Sequence, residues 1–230
     1  MWSLDQPYDG SPPPFVPSPP WLALGLLVAG VGLALAGARL GYLRAATPGN
    51  LVVCAIQVAL TVTAFRWAAV GDPGRAARAV GLTIVPSRAA LLAAVGMGSG
   101  LALHLLVTAS RTLGYPIVVD RPSRVLAALA YDVAVNVPCA EVVFRGALFN
   151  RVQRRWSFAT ALLVSTVACV LRYLLDPALP KIPEVMLGAV VYLGLLSAGN
   201  AWLFWWSGSL VPGLLSSLLF FTAYHTLRVE

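Results

Sequence analysis

Long apolar segments recur along this chain, and they constrain its fold more than any other feature. Each is close to the roughly 20 residues that an α-helix needs to cross the hydrocarbon core of a bilayer. The chain is 59% apolar and 11% charged over 230 residues, with a mean hydropathy of +0.80. The segments do not alternate apolar and polar residues as transmembrane β-strands do. We therefore predict an all-α polytopic membrane bundle of about seven transmembrane helices, at about 21–43, 50–70, 88–110, 124–148, 156–175, 184–206 and 208–227.

The charged residues indicate a membrane surface as the partner of this chain. The net charge of +7 comes from sixteen Lys and Arg residues against nine acids. Most of the Arg residues stand at segment ends, where they anchor helices and meet anionic headgroups. We predict membrane lipids as partners, together with other membrane protein subunits, and no nucleic acid. The predicted location is the bacterial cytoplasmic (inner) membrane, with the basic run Arg151, Arg154 and Arg155 in a cytoplasmic loop.

The domain organisation follows from where the apolar segments begin. Residues 1–20 contain GSPPPFVPSPP, a proline density that favours an extended arm. Residues 21–230 are predicted to form a single transmembrane domain. Residues 73–88 are predicted to be a short amphipathic element at the membrane interface. Small residues at close spacing in the first and third segments, with Gly96, Gly98 and Gly100 in the third, predict close helix–helix packing.

Two ionisable side chains, Glu141 and Arg145, interrupt the fourth apolar segment. A charge at membrane depth costs roughly 2.5–3.5 kcal/mol on insertion scales, so its presence requires a structural or functional reason. The residues are four apart with Glu first, the favourable order for an ion pair on one helix face. Arg can hold a carboxylate through two parallel hydrogen bonds. Pro138 is expected to bend the helix one turn earlier, near Ala134.

This region resembles the CAAX-protease and bacteriocin-processing family of intramembrane proteins. The family's EExxxR motif, which usually continues as FRG, corresponds to Ala140-Glu141-Val142-Val143-Phe144-Arg145-Gly146. The basic run after it, the stretch Ser207–Pro212 and the stretch Val80–Leu82 are also similar, so the resemblance covers about 75–222. It implies a CPBP-like helical core and a glutamate-dependent endopeptidase. In such enzymes a Glu and a His activate water, while a second His and an Asn stabilise the developing oxyanion.

The same resemblance implies that the catalytic positions are degenerate. The first Glu falls on Ala140, the FxxxH histidine on Tyr173, and the HxxxN pair on Ser217 and Phe221. This alignment contains no gaps, and shifting it by one residue would place Arg172 at the position of the first histidine. A methyl group cannot take a proton, and Tyr, with a pKa near 10, is a poor base at neutral pH. We therefore expect no catalytic residues, with Glu141 and Arg145 retained as structural polar groups.

Other polar residues of the apolar segments have structural interpretations and functional alternatives. Asp132 and Asn136 are predicted to form a polar clamp between helices or to lie near the membrane surface; the alternative is a proton or ion relay. His104 is predicted to hydrogen-bond between helices, with a pigment or haem ligand as the alternative. His225 is expected to meet headgroups or water, and Arg172 to reach the interface. Hydrogen bonds between helices are expected for Asn200 and Gln57.

No cofactor and no metal site is predicted. The two His residues are far apart in the sequence and form no HExxH motif. Cys54, Cys139 and Cys169 form no CxxC pair and are expected to be small apolar core residues.

Three functions remain open at this point. The first is a non-catalytic scaffold, assembly or accessory subunit of a larger membrane complex. The second is an active intramembrane endopeptidase that uses a rearranged site around Glu141. The third is a transporter or ligand-binding membrane protein, which depends on Asp132, Asn136 and Glu141 as buried polar groups.

Overall fold

The computed structural model describes residues 77–118, 132–174 and 179–227, together with residues 59, 61, 62 and 129. All the named secondary-structure elements in these ranges are helices, so the predicted all-α class is confirmed for the described residues. The proline-rich arm 1–20, the first segment 21–43 and nearly all of the second segment 50–70 lie outside the described residues. The predicted number of about seven transmembrane helices therefore stays a prediction.

Five helices make up the described part of the bundle. We number them α1 to α5, where α2 is a continuous helical run over 132–155 that changes winding along its length. Their bounds are α1, Arg88–Arg111; α2, 132–155; α3, Phe158–Leu174; α4, Pro183–Ser207; and α5, Val211–Tyr224. Beyond the helices, an isolated antiparallel bridge joins Ile117 to Leu227.

Local sequence signals explain where the long helices begin and end. Ser87 caps the start of α1, because its Oγ accepts a hydrogen bond from the Ala90 backbone N–H at 3.2 Å. Proline stands in the first turn of both α4 and α5, where its missing N–H costs no helical hydrogen bond. Gly208 ends α4 in the left-handed conformation, with φ of 68°, which glycine adopts without a Cβ clash. The short α4–α5 connection thus places these two helices next to each other.

Helix α2 combines α-helical and π-helical turns. Pro138 cannot donate a backbone hydrogen bond to the carbonyl one turn earlier, and a π-helical turn stands immediately before it, near the bend predicted at Ala134. The helix also continues through Arg155, beyond the predicted end at 148. The predicted loop at Arg151–Arg155 is therefore wrong: these residues are helical, and Arg151 is buried. The successive parts are Asp132–Asn136 (π), Val137–Glu141 (α), Val142–Phe149 (π) and Asn150–Arg155 (α).

Two of the helices, α1 and α4, are long and apolar enough to cross a membrane. They match the segments predicted at 88–110 and 184–206. Helices α3 and α5 are apolar but shorter, and they lie within the segments predicted at 156–175 and 208–227. Helix α5 packs chiefly against α1, and α3 packs chiefly against α4.

The centre of the bundle is α2, in which the whole stretch from Cys139 to Val152 is buried. Phe149 makes edge-on contacts with Phe158 of α3 and Phe204 of α4, with ring centroids 6.0 Å apart in each case. Because α2 is surrounded, its polar side chains must find partners on other helices rather than in water or lipid headgroups.

The first residues of the segment before α1 are part of this core, whereas Leu82 and Val85 further along it are exposed. Ala79 and Val80 are buried, and Asn150 donates a hydrogen bond to the Ala79 carbonyl at 2.8 Å. A Cβ at Gly146 would lie 2.8 Å from the Val80 Cβ, so glycine is needed for this close approach. Ala79 and Val80 of the predicted interfacial element over 73–88 thus pack against α2, and the position of this element relative to a membrane stays a prediction.

Candidate functional site

Glu141 lies at the centre of the bundle, and only 2% of its surface is exposed. Its Oε1 accepts hydrogen bonds from Asn200 Nδ2 at 2.8 Å and from Ser217 Oγ at 3.2 Å. Its Oε2 lies 3.4 Å from Arg145 Nε. A Cβ at residue 213 would come within 2.8 Å of Oε2, so Gly213 of α5 gives the carboxylate its space. The carboxylate therefore joins α2, α4 and α5.

Arg145 pairs with Glu141 through one nitrogen only and extends its other nitrogens to two different helices. Nη1 donates to Cys169 Sγ of α3 at 3.2 Å, and Nη2 donates to Ser197 Oγ of α4 at 2.7 Å. The predicted i, i+4 ion pair is present, but the two parallel hydrogen bonds to the carboxylate are not. The winding becomes π-helical from Val142, and the wider turn moves residue 145 away from the position directly above residue 141.

Asn200 is the hydrogen-bonding centre of this cluster. Its Nδ2 lies within hydrogen-bonding distance of Glu141 Oε1, Ser217 Oγ at 2.8 Å and the Gly213 carbonyl at 3.2 Å. Its Oδ1 accepts a hydrogen bond from Ser216 Oγ. Sequence analysis predicted only a generic interhelical role for Asn200. The available signal was an Asn in the middle of a long apolar helix, where a polar group needs a partner on another helix.

Removing the Asn200 amide is expected to destabilise the bundle more than removing the Ser217 hydroxyl. Asn200→Ala leaves Glu141 Oε1 with Ser217 alone and the Ser216 hydroxyl with the Gly213 carbonyl alone, at a cost of about 1–3 kcal/mol. Ser217→Ala removes the longer contact to Glu141 and one acceptor of Asn200 Nδ2, but Asn200 and Glu141 keep each other and Asn200 keeps the Gly213 carbonyl. The free energy of unfolding in mild detergent measures the difference. An equal or larger loss in Ser217→Ala would show that Asn200 is not the centre.

The four positions that the resemblance marks as degenerate form two separate groups. Ser217 contacts Glu141, whereas Tyr173 packs against Phe221 with ring centroids 5.3 Å apart. Ala140 is buried in the apolar core, 7% exposed, so its methyl group adds packing and no proton acceptor. The four positions thus carry a hydroxyl, two aromatic rings and a methyl group.

Arg172, the alternative occupant of the first histidine position, does not reach the interface as predicted. It is buried, and its guanidinium carbon lies 4.2 Å from the centroid of the Tyr173 ring. An arginine over an aromatic face is held by the ring quadrupole. A guanidinium cannot act as a base at neutral pH, so neither alignment of this region supplies one.

A cavity of about 680 Å³ opens beside this centre, between α1, α2, α4 and α5. Tyr173 and Phe221 are part of its lining, and Glu141 and Ser217 are not. The aromatic pair therefore borders the cavity, whereas the Glu141 carboxylate does not.

A comparison with protein families finds a match for the part of the chain that contains the Glu141 cluster. Residues 122–220 match the family model described as type II CAAX prenyl endopeptidase Rce1-like. This stretch carries an Rce1-like domain. No curated protein and no solved structure matches the chain. The resemblance predicted over about 75–222 is thus confirmed for the stretch from the start of α2 into α5. The Rce1-like domain and the apolar helices together indicate an integral membrane protein.

A second polar cluster, formed by Asp132, Asn136 and His225, lies at the start of α2; Asp132 and Asn136 belong to the Rce1-like match and His225 lies beyond it. Asn136 Nδ2 donates to Asp132 Oδ1 at 2.8 Å, and His225 Nε2 donates to Asp132 Oδ2 at 2.6 Å. Asp132 and Asn136 are 2% and 6% exposed, and the side chain of His225 is 28% exposed. Asp132 is therefore a clamp between α2 and the end of α5, one of the two structural roles predicted for it. The expectation that His225 meets headgroups or water misses this contact, which depends on the return of α5 to α2.

His104, on α1 and outside the Rce1-like match, forms a hydrogen bond with the Tyr192 hydroxyl of α4 at 2.6 Å. This is the interhelical role predicted from the sequence. Among the residues that the structure describes, no group of three or more His, Cys, Asp or Glu side chains is arranged to hold a metal ion. Gln57 and Cys54 lie outside the described residues, while Cys139 and Cys169 are buried cysteines that are not joined in a disulfide.

Proposed function

We propose that this protein is a non-catalytic relative of the intramembrane endopeptidases that serves as a scaffold, assembly or accessory subunit of a larger membrane complex. The proposal rests on the side chains that surround the Glu141 carboxylate. Its carboxylate is buried among Asn200, Ser217 and Arg145, and no second acid or imidazole is among these partners.

The chemistry of peptide hydrolysis makes this arrangement unsuitable for a protease. A general base must reach the proton of an attacking water, and positioned donors must face the developing oxyanion. Here both oxygens of Glu141 contact polar side chains that hold helices together. The neighbouring cavity is lined by Tyr173 and Phe221, and the phenol of Tyr173 is the only polar group that this pair of side chains offers. Catalytic groups that act as a unit lose most of their effect when one is removed, and here four positions differ.

A polar centre of this kind would have a structural role, which is to hold the helices in fixed relative positions. Buried polar networks fix the relative positions of the helices that share them. Glu141, Arg145 and Asn200 join α2, α3, α4 and α5 through hydrogen bonds and one ion pair. A rigid bundle of this kind suits a subunit that presents a constant surface to neighbouring membrane proteins.

Extraction from the native membrane in mild detergent tests the scaffold function. We expect the protein to co-purify with other membrane subunits at a fixed stoichiometry. Purification as a solitary chain under conditions that preserve other complexes of the same membrane would contradict the proposal.

A cleavage assay in proteoliposomes tests the alternative, an active endopeptidase. We expect the wild-type protein to cleave no membrane-embedded peptide. If cleavage occurs and Glu141→Gln abolishes it, the enzyme is active and the proposal is wrong. Arg155→Gln is the control, because Arg155 is an exposed side chain at the end of α2, outside both the Glu141 cluster and the cavity lining.

A further inference from the structure

The cavity between α1, α2, α4 and α5 combines an apolar wall with a polar end. Its apolar lining includes Leu105, Ala109, Val185, Leu193 and Phe220. Its volume of about 680 Å³ lies within the range typical of small-molecule sites, which are mostly apolar with a few placed polar groups. Asp132, Asn136 and His225 supply those polar groups.

The polar end offers hydrogen-bond acceptors. Asn136 uses its Nδ2 to bond Asp132, which fixes its Oδ1 as the remaining acceptor. This oxygen has no hydrogen-bond partner among the described residues, although Asn136 is only 6% exposed. Each oxygen of the Asp132 carboxylate accepts one hydrogen bond and has capacity for another. A ligand that satisfies this end must therefore donate hydrogen bonds.

The charged side chains that line the cavity favour a ligand with a positive charge. The described lining residues include two carboxylates, Asp132 and Glu184, one imidazole, His225, and neither Arg nor Lys. Acidic side chains therefore outnumber basic ones in the described lining. An anionic headgroup would meet repulsion in this setting, whereas an ammonium group, which has three donors and no acceptor, matches both charge and hydrogen bonding.

The position of the cavity on α4 explains how a hydrocarbon chain could enter. Leu187 and Val191 line the cavity and are 67% and 48% exposed on a helix that is long and apolar enough to cross a membrane. A single alkyl chain can therefore pass between this face and the cavity without leaving an apolar environment.

We propose that the cavity binds a single-chain amphiphile with a primary ammonium headgroup, the headgroup lying at Asp132 and Asn136 and the chain along Leu105, Val185 and Phe220. This site is separate from the Glu141 cluster. It requires no catalysis and does not depend on the scaffold function.

The test compares three radiolabelled probes of equal chain length, octadecylamine, octadecanol and octadecanoate, on the full-length protein in phosphatidylcholine nanodiscs, with empty nanodiscs subtracted. We expect the amine to bind at least about tenfold more tightly than the carboxylate, the factor that corresponds to one modest charge-dependent contact. Equal binding of amine and carboxylate, or equal binding of amine and alcohol, would overturn the proposal.

Two glycines of α4 provide a matched pair of variants. An added Cβ meets nothing within 4 Å at either Gly188 or Gly194, but only Gly188 lines the cavity. Gly188→Phe is expected to fill the cavity and abolish amine binding, whereas Gly194→Phe keeps it. Retained binding in Gly188→Phe would place the ligand elsewhere and contradict the site.

Asp132→Asn tests the headgroup contact. It is expected to reduce the preference for amine over carboxylate to about threefold or less, with the melting temperature as the check on folding. An unchanged preference in the folded variant would contradict the role of Asp132. If Asp132→Asn does not fold, the probe comparison and the glycine pair decide the proposal by themselves.

Discussion

Arg145→Met is expected to cost about 3–5 kcal/mol of unfolding free energy, because it leaves Glu141 as a buried carboxylate without its cation. The guanidinium also holds α3 and α4 through Cys169 and Ser197, and both contacts disappear with it. Methionine approximates the length of the arginine stem, so the loss measures polar contacts more than cavity formation. Reversible unfolding in mild detergent, followed by circular dichroism, gives the free energy.

Two further variants separate the charge from its surroundings. Glu141→Gln combined with Arg145→Met is expected to be less destabilised than Arg145→Met alone, since the substituted amide can still bond Asn200 and carries no uncompensated charge. Arg155→Met, at the exposed end of the same helix, is expected to change stability by about 0.5 kcal/mol or less. An Arg145→Met variant as stable as Arg155→Met would show that the buried pair contributes nothing.

Gly98→Leu is expected to destabilise the bundle by about 3 kcal/mol, because it forces α1 away from α5. A Cβ at Gly98 would lie 2.6 Å from the Ser216 carbonyl oxygen and 2.8 Å from the Ser216 Cα. These are backbone atoms of a packed helix, so no side-chain rotation can relieve the contact. Ser216 also donates to Asn200, so the displacement would reach the Glu141 cluster.

Gly100→Leu is the matched control for this variant. It lies two residues further along the same helix, and an added Cβ there meets nothing within 4 Å. We expect a neutral change or a small gain, since glycine is a poorer helix former than leucine by somewhat less than about 1 kcal/mol. Thermal unfolding of both variants in the same detergent makes the comparison. Equal destabilisation by the two substitutions would contradict the described α1–α5 contact.

The two polar clusters suggest a division between structure and ligand chemistry. Glu141 and Arg145 are enclosed by partners on three other helices, whereas Asp132, Asn136 and His225 line a cavity. A core that is fixed at its centre can retain a cavity at one end, because the cost of the empty volume is offset by contacts elsewhere. This arrangement is compatible with a scaffold whose stability or assembly depends on a bound amphiphile.

Individual residues show how far sequence reasoning extends into the site. The four-residue spacing of Glu141 and Arg145 predicted their contact, because both residues lie on one helix. It could not predict that only one nitrogen of Arg145 lies near the Glu141 carboxylate, in a helix whose turns become π-helical between the two residues. Likewise, three glycines of α1 are equivalent in the sequence, yet only Gly98 faces α5 closely enough to require the absence of a side chain.

The sequence by itself determined the all-α class, the positions of the long apolar helices, the local Glu141–Arg145 pair and the family motif, because each depends on composition or on residues within one or two helical turns. The tertiary structure alone decided that Asn200 is the centre of the Glu141 cluster, that His225 meets Asp132 across 93 positions, and that Tyr173 and Phe221 line the cavity while Glu141 does not. Such contacts depend on how helices cross and turn against one another. That geometry follows from the packing of the whole bundle, so no local pattern in the chain encodes it.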